Sequence, residues 1–200
     1  MKHQFVVFDT ETSGLPDWNS PADSLGQPRV ASAALIFLNA DFQVEHEVYR
    51  LVKPDGWVMP EEVERINGLS TERLEAEGAP IGEILDDYAM AIDEGRIIVA
   101  HNAQFDTKMM RGELRRAQRS DRKECTKSLC TMRGLTQACQ LPGRSGFKFP
   151  RLHEATRIIL GEPELEGAHN ALIDARACMR LLLAMRDLNM LGRILAPLAA

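Results

Sequence analysis

No stretch of this 200-residue chain is apolar for long enough to cross a membrane, since a helical span needs roughly 20 such residues. Residues 33–38 fall far short of that length. The opening run, Phe5-Val-Val-Phe8, is broken by Asp9 too soon to serve as a signal peptide. A cytoplasmic location and no membrane partner are therefore expected. Cysteine is scarce, and the four present (Cys125, Cys130, Cys139 and Cys178) have neither CxxC spacing nor a histidine pattern suited to zinc. Reduced, packed thiols are expected instead. Repeats, low-complexity tracts and a convincing interdomain linker are also missing, so a single domain over residues 1–200 is expected, long enough to bury one α/β core.

The net charge of −5 argues against a nucleic-acid partner until it is mapped along the chain. Residues 108–151 hold 12 Lys/Arg against 3 Asp/Glu, a local balance of +9, which leaves −14 for the remainder. Such asymmetry fits a basic surface following a phosphate backbone. It equally fits a solvated helix face carrying Arg111, Arg115, Arg116 and Arg119.

Apolar patterning predicts a strand over 5–8 that ends in a polar turn at Asp9. A Pro-rich surface loop over 15–29 follows, then strands over 30–38 and 44–52 joined as a hairpin. Helices are predicted to start at Pro60 and Ser70, and an amphipathic one to span 81–92. Residues 97–100, Ile-Ile-Val-Ala, read as a central strand and 105–118 as a helix. A loop covers 141–150, and a long helix over 170–190 should bury Leu172, Ala175, Met179, Leu182 and Leu183. Antiparallel-looking strands followed by helices predict an α/β fold with a mixed sheet.

Three acidic clusters fall beside these apolar elements. Asp9 and Glu11 are two apart, so an extended backbone projects both to one side. Paired carboxylates repel unless a proton or a cation neutralises them, and hard oxygen ligands suit Mg²⁺ or Mn²⁺. A turn-capping aspartate explains Asp9 just as cheaply. Asp106 falls in the first turn of a helix, where the helix dipole favours a carboxylate whatever its function. Asp174 opens the last helix beside Leu172 and Ile173, and a buried carboxylate there needs a cation, a base or a hydrogen-bond donor. His169, five positions earlier, is close enough to share its site, although a lone histidine is often structural. Together, four carboxylates and a histidine fit a two-metal phosphodiester hydrolysis site, with the two ions about 4 Å apart and the histidine as general base.

The segments Phe8-Asp-Thr-Glu-Thr-Ser-Gly14, His101-Asn-Ala-Gln-Phe-Asp106 and Ala168-His-Asn-Ala-Leu-Ile-Asp-Ala175 resemble the three exonuclease motifs of the DnaQ-like, DEDD superfamily. The histidine five residues before the last aspartate resembles the DEDDh branch. The resemblance covers about residues 5–183. It implies a ribonuclease H-like fold with a five-stranded mixed sheet flanked by helices, and metal-dependent 3′→5′ exonuclease activity. Asp9, Glu11, Asp106 and Asp174 would hold two Mg²⁺ or Mn²⁺ ions, and His169 would be the general base. Thr12 would meet the terminal 3′-hydroxyl, Leu15 and Phe105 would pack near the terminal bases, and Asn67 matches a position beside the terminal base. His101 and His153 are expected to be structural.

The implied partner is the 3′ end of nucleic acid, DNA favoured over RNA and single-stranded 3′ ends expected, with nucleoside monophosphates released. An RNA 3′→5′ exoribonuclease, a catalytically silent nucleic-acid-binding module and a polymerase-associated module are the other readings. Little sequence follows the last helix to serve as a polymerase-binding tail and no glutamine-led clamp-binding peptide stands out, so a free-standing nuclease, or a subunit held by surface contacts, is expected. The +9 segment also permits a homodimer in which one subunit's basic patch serves the other's active site. Phe105, Trp18, Phe147 and Phe149 are candidates for stacking on single-stranded bases, or for ordinary packing.

Overall fold

The computed structural model describes residues 3–162 and 166–196, so the full 1–200 extent expected for the domain reaches beyond them. Five strands form one sheet: β1 (Phe5–Thr12), β2 (Val30–Leu38), β3 (Val44–Leu51), β4 (Ile97–Ala100) and β5 (Ser128–Cys130). Their order across the sheet is β3-β2-β1-β4-β5. β2 is antiparallel to both β1 and β3, whereas β1, β4 and β5 are mutually parallel. The helices are α1 (Glu61–Asn67), α2 (Thr71–Glu77), α3 (Ile81–Asp93), α4 (Ala103–Arg116), α5 (Thr131–Cys139) and α6 (Leu152–Ala155). A π-helical turn (Thr156–Leu160) continues α6, and α7 (Ala171–Asp187) and α8 (Leu191–Leu195) complete the set. The mixed α/β sheet is thus the one expected.

β1 is buried on both faces because helices cover both. Phe5 and Val7 join Ala171, Ala175, Cys178 and Leu181 of α7 in one core. Val6 and Phe8 join α3 and α4 in the other, where the Phe8 and Tyr88 rings lie 5.4 Å apart. Strand alternation therefore assigns odd residues of β1 to the α7 side and even residues to the α4 side.

Three sequence expectations need correction. β1 does not end at Asp9: it runs on to Thr12, because Asp9 and Glu11 pair with Ala34 and Ser32 of the fully buried β2. Ladder hydrogen bonds outweigh the polar character that reads as a turn. The buried stripe of α7 is broader than the expected one: Ala175 and Leu182 are buried as expected, Leu172, Met179 and Leu183 are only half-buried, and Ala171, Asp174, Cys178 and Leu181 also face inward. Small side chains at three of those positions let the helix lie close to the sheet. Among the cysteines, none is in a disulfide, and Cys139 and Cys178 are buried as expected, but Cys125 is exposed. The short β5 and the helices α5 and α6 are absent from the sequence reading, which had no apolar run to mark them.

The loop over 13–29 is on the surface but rigidly stapled. Gln27, 4% exposed, donates to the carbonyls of Asp17, Ser20 and Pro21. Lys108 Nζ donates to the Asp17 and Ser20 carbonyls at 2.9 Å each. Glu113 of α4, 2% exposed, accepts from Arg29 Nε at 2.8 Å, from Arg116 at 3.1 Å and from the Val30 N–H at 3.2 Å. The arginine-rich helix and the turn after it are laced with ion pairs. Arg111 and Arg115 pair with Asp121, Arg116 with Glu113, Arg119 with Asp86 and Arg122 with Asp93. These cations are spent within the fold.

Glu113→Ala strips Arg29 of its buried acceptor, leaving it only the exposed Asp55, and removes the acceptor of the buried Val30 N–H. It is expected to destabilise the protein by about 3–5 kcal/mol, the usual cost of breaking a buried pair from one side. Urea unfolding of the variant against the parent reads this, and a shift under about 1 kcal/mol would show that the pair contributes little.

Candidate active site

β1 hydrogen-bonds to β2 along its whole length but to β4 only through Val7, opposite Val99. From Asp9 to Thr12 one edge of the strand is therefore open, at the carboxyl ends of two parallel strands, where open α/β sheets form crevices. The N–H of Thr10 on that open edge donates to Asp106 Oδ1 at 3.1 Å, and the Thr10 hydroxyl donates to the same oxygen at 2.9 Å. Alternation explains the pairing: Thr10 faces α4, which carries Asp106 in its first turn. Asp9 and Glu11 face the other way, toward α7 and Asp174.

Asn170 caps α7 by accepting from the Leu172 and Ile173 N–H groups at 3.1 and 3.3 Å. Its place sets where the helix begins, and hence where Asp174 points. The His169 N–H donates to Asp174 Oδ2 at 3.1 Å, while the buried Asp174 Oδ1 has no partner among the described residues. His169 itself holds a left-handed backbone with φ of 66°, costly for a residue with a Cβ, and its side chain is exposed.

A cleft of about 310 Å³ gathers the residues singled out from the sequence. Asp9, Glu11, Asp106, Asp174 and His169 line it, and so do Thr12, Leu15, Asn67 and Phe105. Two of these also have bonding duties. The Thr12 hydroxyl donates to the Gly14 carbonyl at 2.7 Å. Asn67 accepts from the Leu69 N–H and reaches the Thr12 carbonyl at 3.4 Å. Leu15 stands 86% exposed at the rim.

The sequence reading missed Val63 and Ile66, which supply apolar wall. α1 has no fully buried residue: Val63 packs at the edge of a small core and Ile66 is 59% exposed, and an apolar residue left exposed beside it is the signal that would have revealed them. Of the histidines expected to be structural, His101 has both ring nitrogens engaged, Nδ1 with the Thr131 hydroxyl at 2.9 Å and Nε2 with the Pro150 carbonyl at 3.0 Å. Burial pulls its pKa down. His153 is exposed near the same end of the sheet.

The electrostatics of the cleft are those of crowded carboxylates. Burial, then the charges of Asp174 and Asp106, push Glu11 up to about 8. Burial also lifts Asp106 to about 7, although the two Thr10 hydrogen bonds oppose it. Asp9 is raised well above the usual range by burial and by Asp106, Asp174 and Glu11, in that order. Asp174 is raised by burial, with the His169 N–H bond pulling the other way.

These groups fit a divalent cation. Ligand atoms of Glu11, His169 and Asp174 lie within 4.8 Å of one another, and the orphaned Asp174 oxygen is a buried acceptor in want of a positive partner. A cation would relieve the repulsion that protons otherwise must.

An acidic cleft at the open edge of a five-stranded mixed sheet, built from residues scattered along the chain, defines a class of metal-ready phosphodiester-cleaving domains. The chain belongs to the exonuclease family RNase_T, which matches residues 6–182. It is 28% identical over 181 residues to the DNA polymerase III subunit epsilon of Treponema pallidum, covering 90% of this chain and 75% of that protein. It is 27% identical over 166 residues to the 3′-5′ exonuclease DinG of Bacillus subtilis, covering 81% of this chain but 16% of that protein. Among solved structures, Escherichia coli exonuclease I in complex with a 5cy-dT13 oligonucleotide superposes with a TM-score of 0.74 at 19% identity, over 94% of this chain and 41% of that one. That likeness shows the ribonuclease H-like fold. The chain thus spans a minor part of DinG and of exonuclease I. Among the described residues no helix is long and apolar enough to cross a membrane.

Proposed function

We propose that this domain hydrolyses DNA from its 3′ end, releasing one nucleoside 5′-monophosphate at a time, with single-stranded ends as the preferred substrate. The observation that carries this reading is the convergence of Asp9, Glu11, Asp106, Asp174 and His169 on one cleft. A purely binding module gains nothing from clustered carboxylates, which repel phosphate. The names of the relatives, an exonuclease and a polymerase subunit, support the same chemistry and favour DNA. Four cysteines outside any disulfide fit a cytoplasmic setting.

In this mechanism Asp9, Glu11, Asp106 and Asp174 hold two Mg²⁺ or Mn²⁺ ions. Bound there, the ions supply charge neutralisation of the scissile phosphate and of the leaving 3′ oxygen. Thr10 fixes Asp106 by gripping one carboxylate oxygen and leaving the other to the cleft. The exposed His169 takes the proton from the attacking water at its ring nitrogen. Thr12 and its backbone meet the 3′-hydroxyl of the terminal nucleotide, and Asn67 holds that segment in place. Leu15, Phe105 and the Ile66 side chain give apolar contact to the terminal bases.

The test is incubation of the purified protein with 5′-end-labelled single-stranded DNA and RNA, with and without Mg²⁺ or Mn²⁺. A metal-dependent ladder shortening from the 3′ end of DNA, with mononucleotide product, is the expected result. Intact DNA under every metal condition would overturn the reading, and a ladder from RNA only would reassign the substrate. His169→Ala is expected to lower turnover by roughly 10²–10⁴-fold, the usual worth of a general base, with metal binding retained. Unchanged turnover would remove His169 from the mechanism.

A further inference from the structure

The arginines of α4 are ion-paired, yet the basic segment does not end with that helix. Arg133 of α5 and Arg144 and Arg151 of the following loop have no carboxylate within 4.0 Å among the described residues. Arg133 instead donates to Gln104 Oε1 at 3.2 Å and sits over the Phe149 ring, 5.7 Å from its centroid. Phe149 is 54% exposed, so about half of the residue remains open to solvent. A cation without an anion, stacked against an exposed aromatic ring, is an arrangement that suits a base and a phosphate together.

This pair is built into a fixed surface. The loop carrying Phe149 is closed by a bridge between Pro142 and Phe147 and by the Lys148 N–H donating to the Leu141 carbonyl at 2.9 Å. The Pro150 carbonyl, one residue beyond Phe149, is the partner of His101, which lines the active cleft. Gln104 adjoins Phe105 of the same cleft. On the other side of Pro150, Arg151 lines a cavity of about 330 Å³ that shares His169 and Asp174 with the cleft. The strip Arg133–Phe149–Arg151 is thus continuous with the cleft, and its charge is opposite to that of a phosphodiester backbone.

We propose that Phe149, Arg133 and Arg151 form a docking strip for single-stranded DNA, holding the nucleotides 5′ of the one being removed: Phe149 stacks on a base while the two arginines meet flanking phosphates. The inference rests on the proposed DNA-hydrolysing function, and it relocates the nucleic-acid contact from α4 to the loop after α5. Its consequence is that affinity depends on substrate length beyond the terminal residues, because a dinucleotide fills the cleft without reaching the strip.

The test compares binding of a dinucleotide and a decanucleotide of deoxythymidine by fluorescence anisotropy in EDTA, with the full chain as parent and with variants at these exposed positions. The parent is expected to bind the longer strand more tightly. Phe149→Ala should weaken decanucleotide binding by roughly tenfold, the scale of one stacked base. Arg133→Gln with Arg151→Gln should flatten the dependence of log affinity on log salt by about 0.7 per lost phosphate contact. Variants that bind the decanucleotide with the parent's affinity and salt slope would overturn the strip. Hydrolysis of the p-nitrophenyl ester of thymidine 5′-monophosphate by the parent with Mn²⁺ reads the cleft separately. Failure there overturns the proposed function, whereas the anisotropy comparison still decides the strip, since it needs no turnover.

Discussion

Asp9→Asn is expected to abolish nucleotide release, with turnover at least about 10³-fold below the parent, on the scale of losing a transition-state charge partner in a water-poor site. Asp9 is the carboxylate at the centre of the cluster, lifted by burial and then by all three acidic neighbours. Among the described residues no side-chain hydrogen bond from it holds the fold together, in contrast to Asp106, tied to Thr10, and Asp174, tied to the His169 N–H. Asparagine keeps the shape and removes the charge that a cation requires. Folding should survive, and thermal stability without metal should stay level or rise as repulsion is relieved. The measurement pairs nucleotide release from a labelled oligonucleotide with a melting curve. A variant that still releases mononucleotides at the parent's rate would remove the acidic cluster from the chemistry. Asp174→Ala is the less clean experiment, because it also strips the acceptor that shapes the turn at His169.

The second large effect is a loss of stability with rising pH in metal-free protein. In the unfolded chain Glu11 and Asp106 titrate near the usual carboxylate values, whereas in the fold they are pushed up to about 8 and about 7. Groups raised on folding favour the folded state while protonated. Their contribution is full below about pH 4 and is lost as pH climbs through 7 to 8. Between about pH 5.5 and about pH 8.5 in EDTA the protein should lose about 2–3 kcal/mol, roughly 5–10 °C in Tm. Saturating Mg²⁺ or Mn²⁺ at the upper end should restore stability by mass action, since the ions bind the assembled cluster and not the unfolded chain. Scanning calorimetry across that range reads both effects. A Tm that climbs with pH in EDTA, or one indifferent to metal at about pH 8, would contradict the carboxylate crowding.

Much of this site is legible in the sequence because its parts are local. Asp9 and Glu11 are two apart on a strand, Asp106 is in the first turn of a helix after a buried strand, and Asn170 announces the start of α7 four residues before Asp174. Each segment is specified by short-range rules of alternation and capping, and the apolar runs at 5–8, 30–38 and 97–100 mark the central sheet. What short-range rules missed has a common cause. Asp9 to Thr12 look like a turn, yet pairing with β2 keeps them extended. β5 has three residues and one buried side chain, too little to pattern. The α7 stripe was only partly found because small residues, Ala171 and Cys178, share the buried face with Leu181 and Leu182.

The sequence by itself determined which acidic residues fall at the strand and helix ends that line the cleft and the order of the elements that present them, since both follow from spacing along the chain. The tertiary structure decided where charge is available. Five arginines that look like a phosphate track are neutralised by Asp23, Asp86, Asp93, Glu113 and Asp121, partners up to 92 positions away. The physical reason is that an ion pair depends on distance in space, which no local pattern records, so the cations left for nucleic acid are known only once the chain has folded.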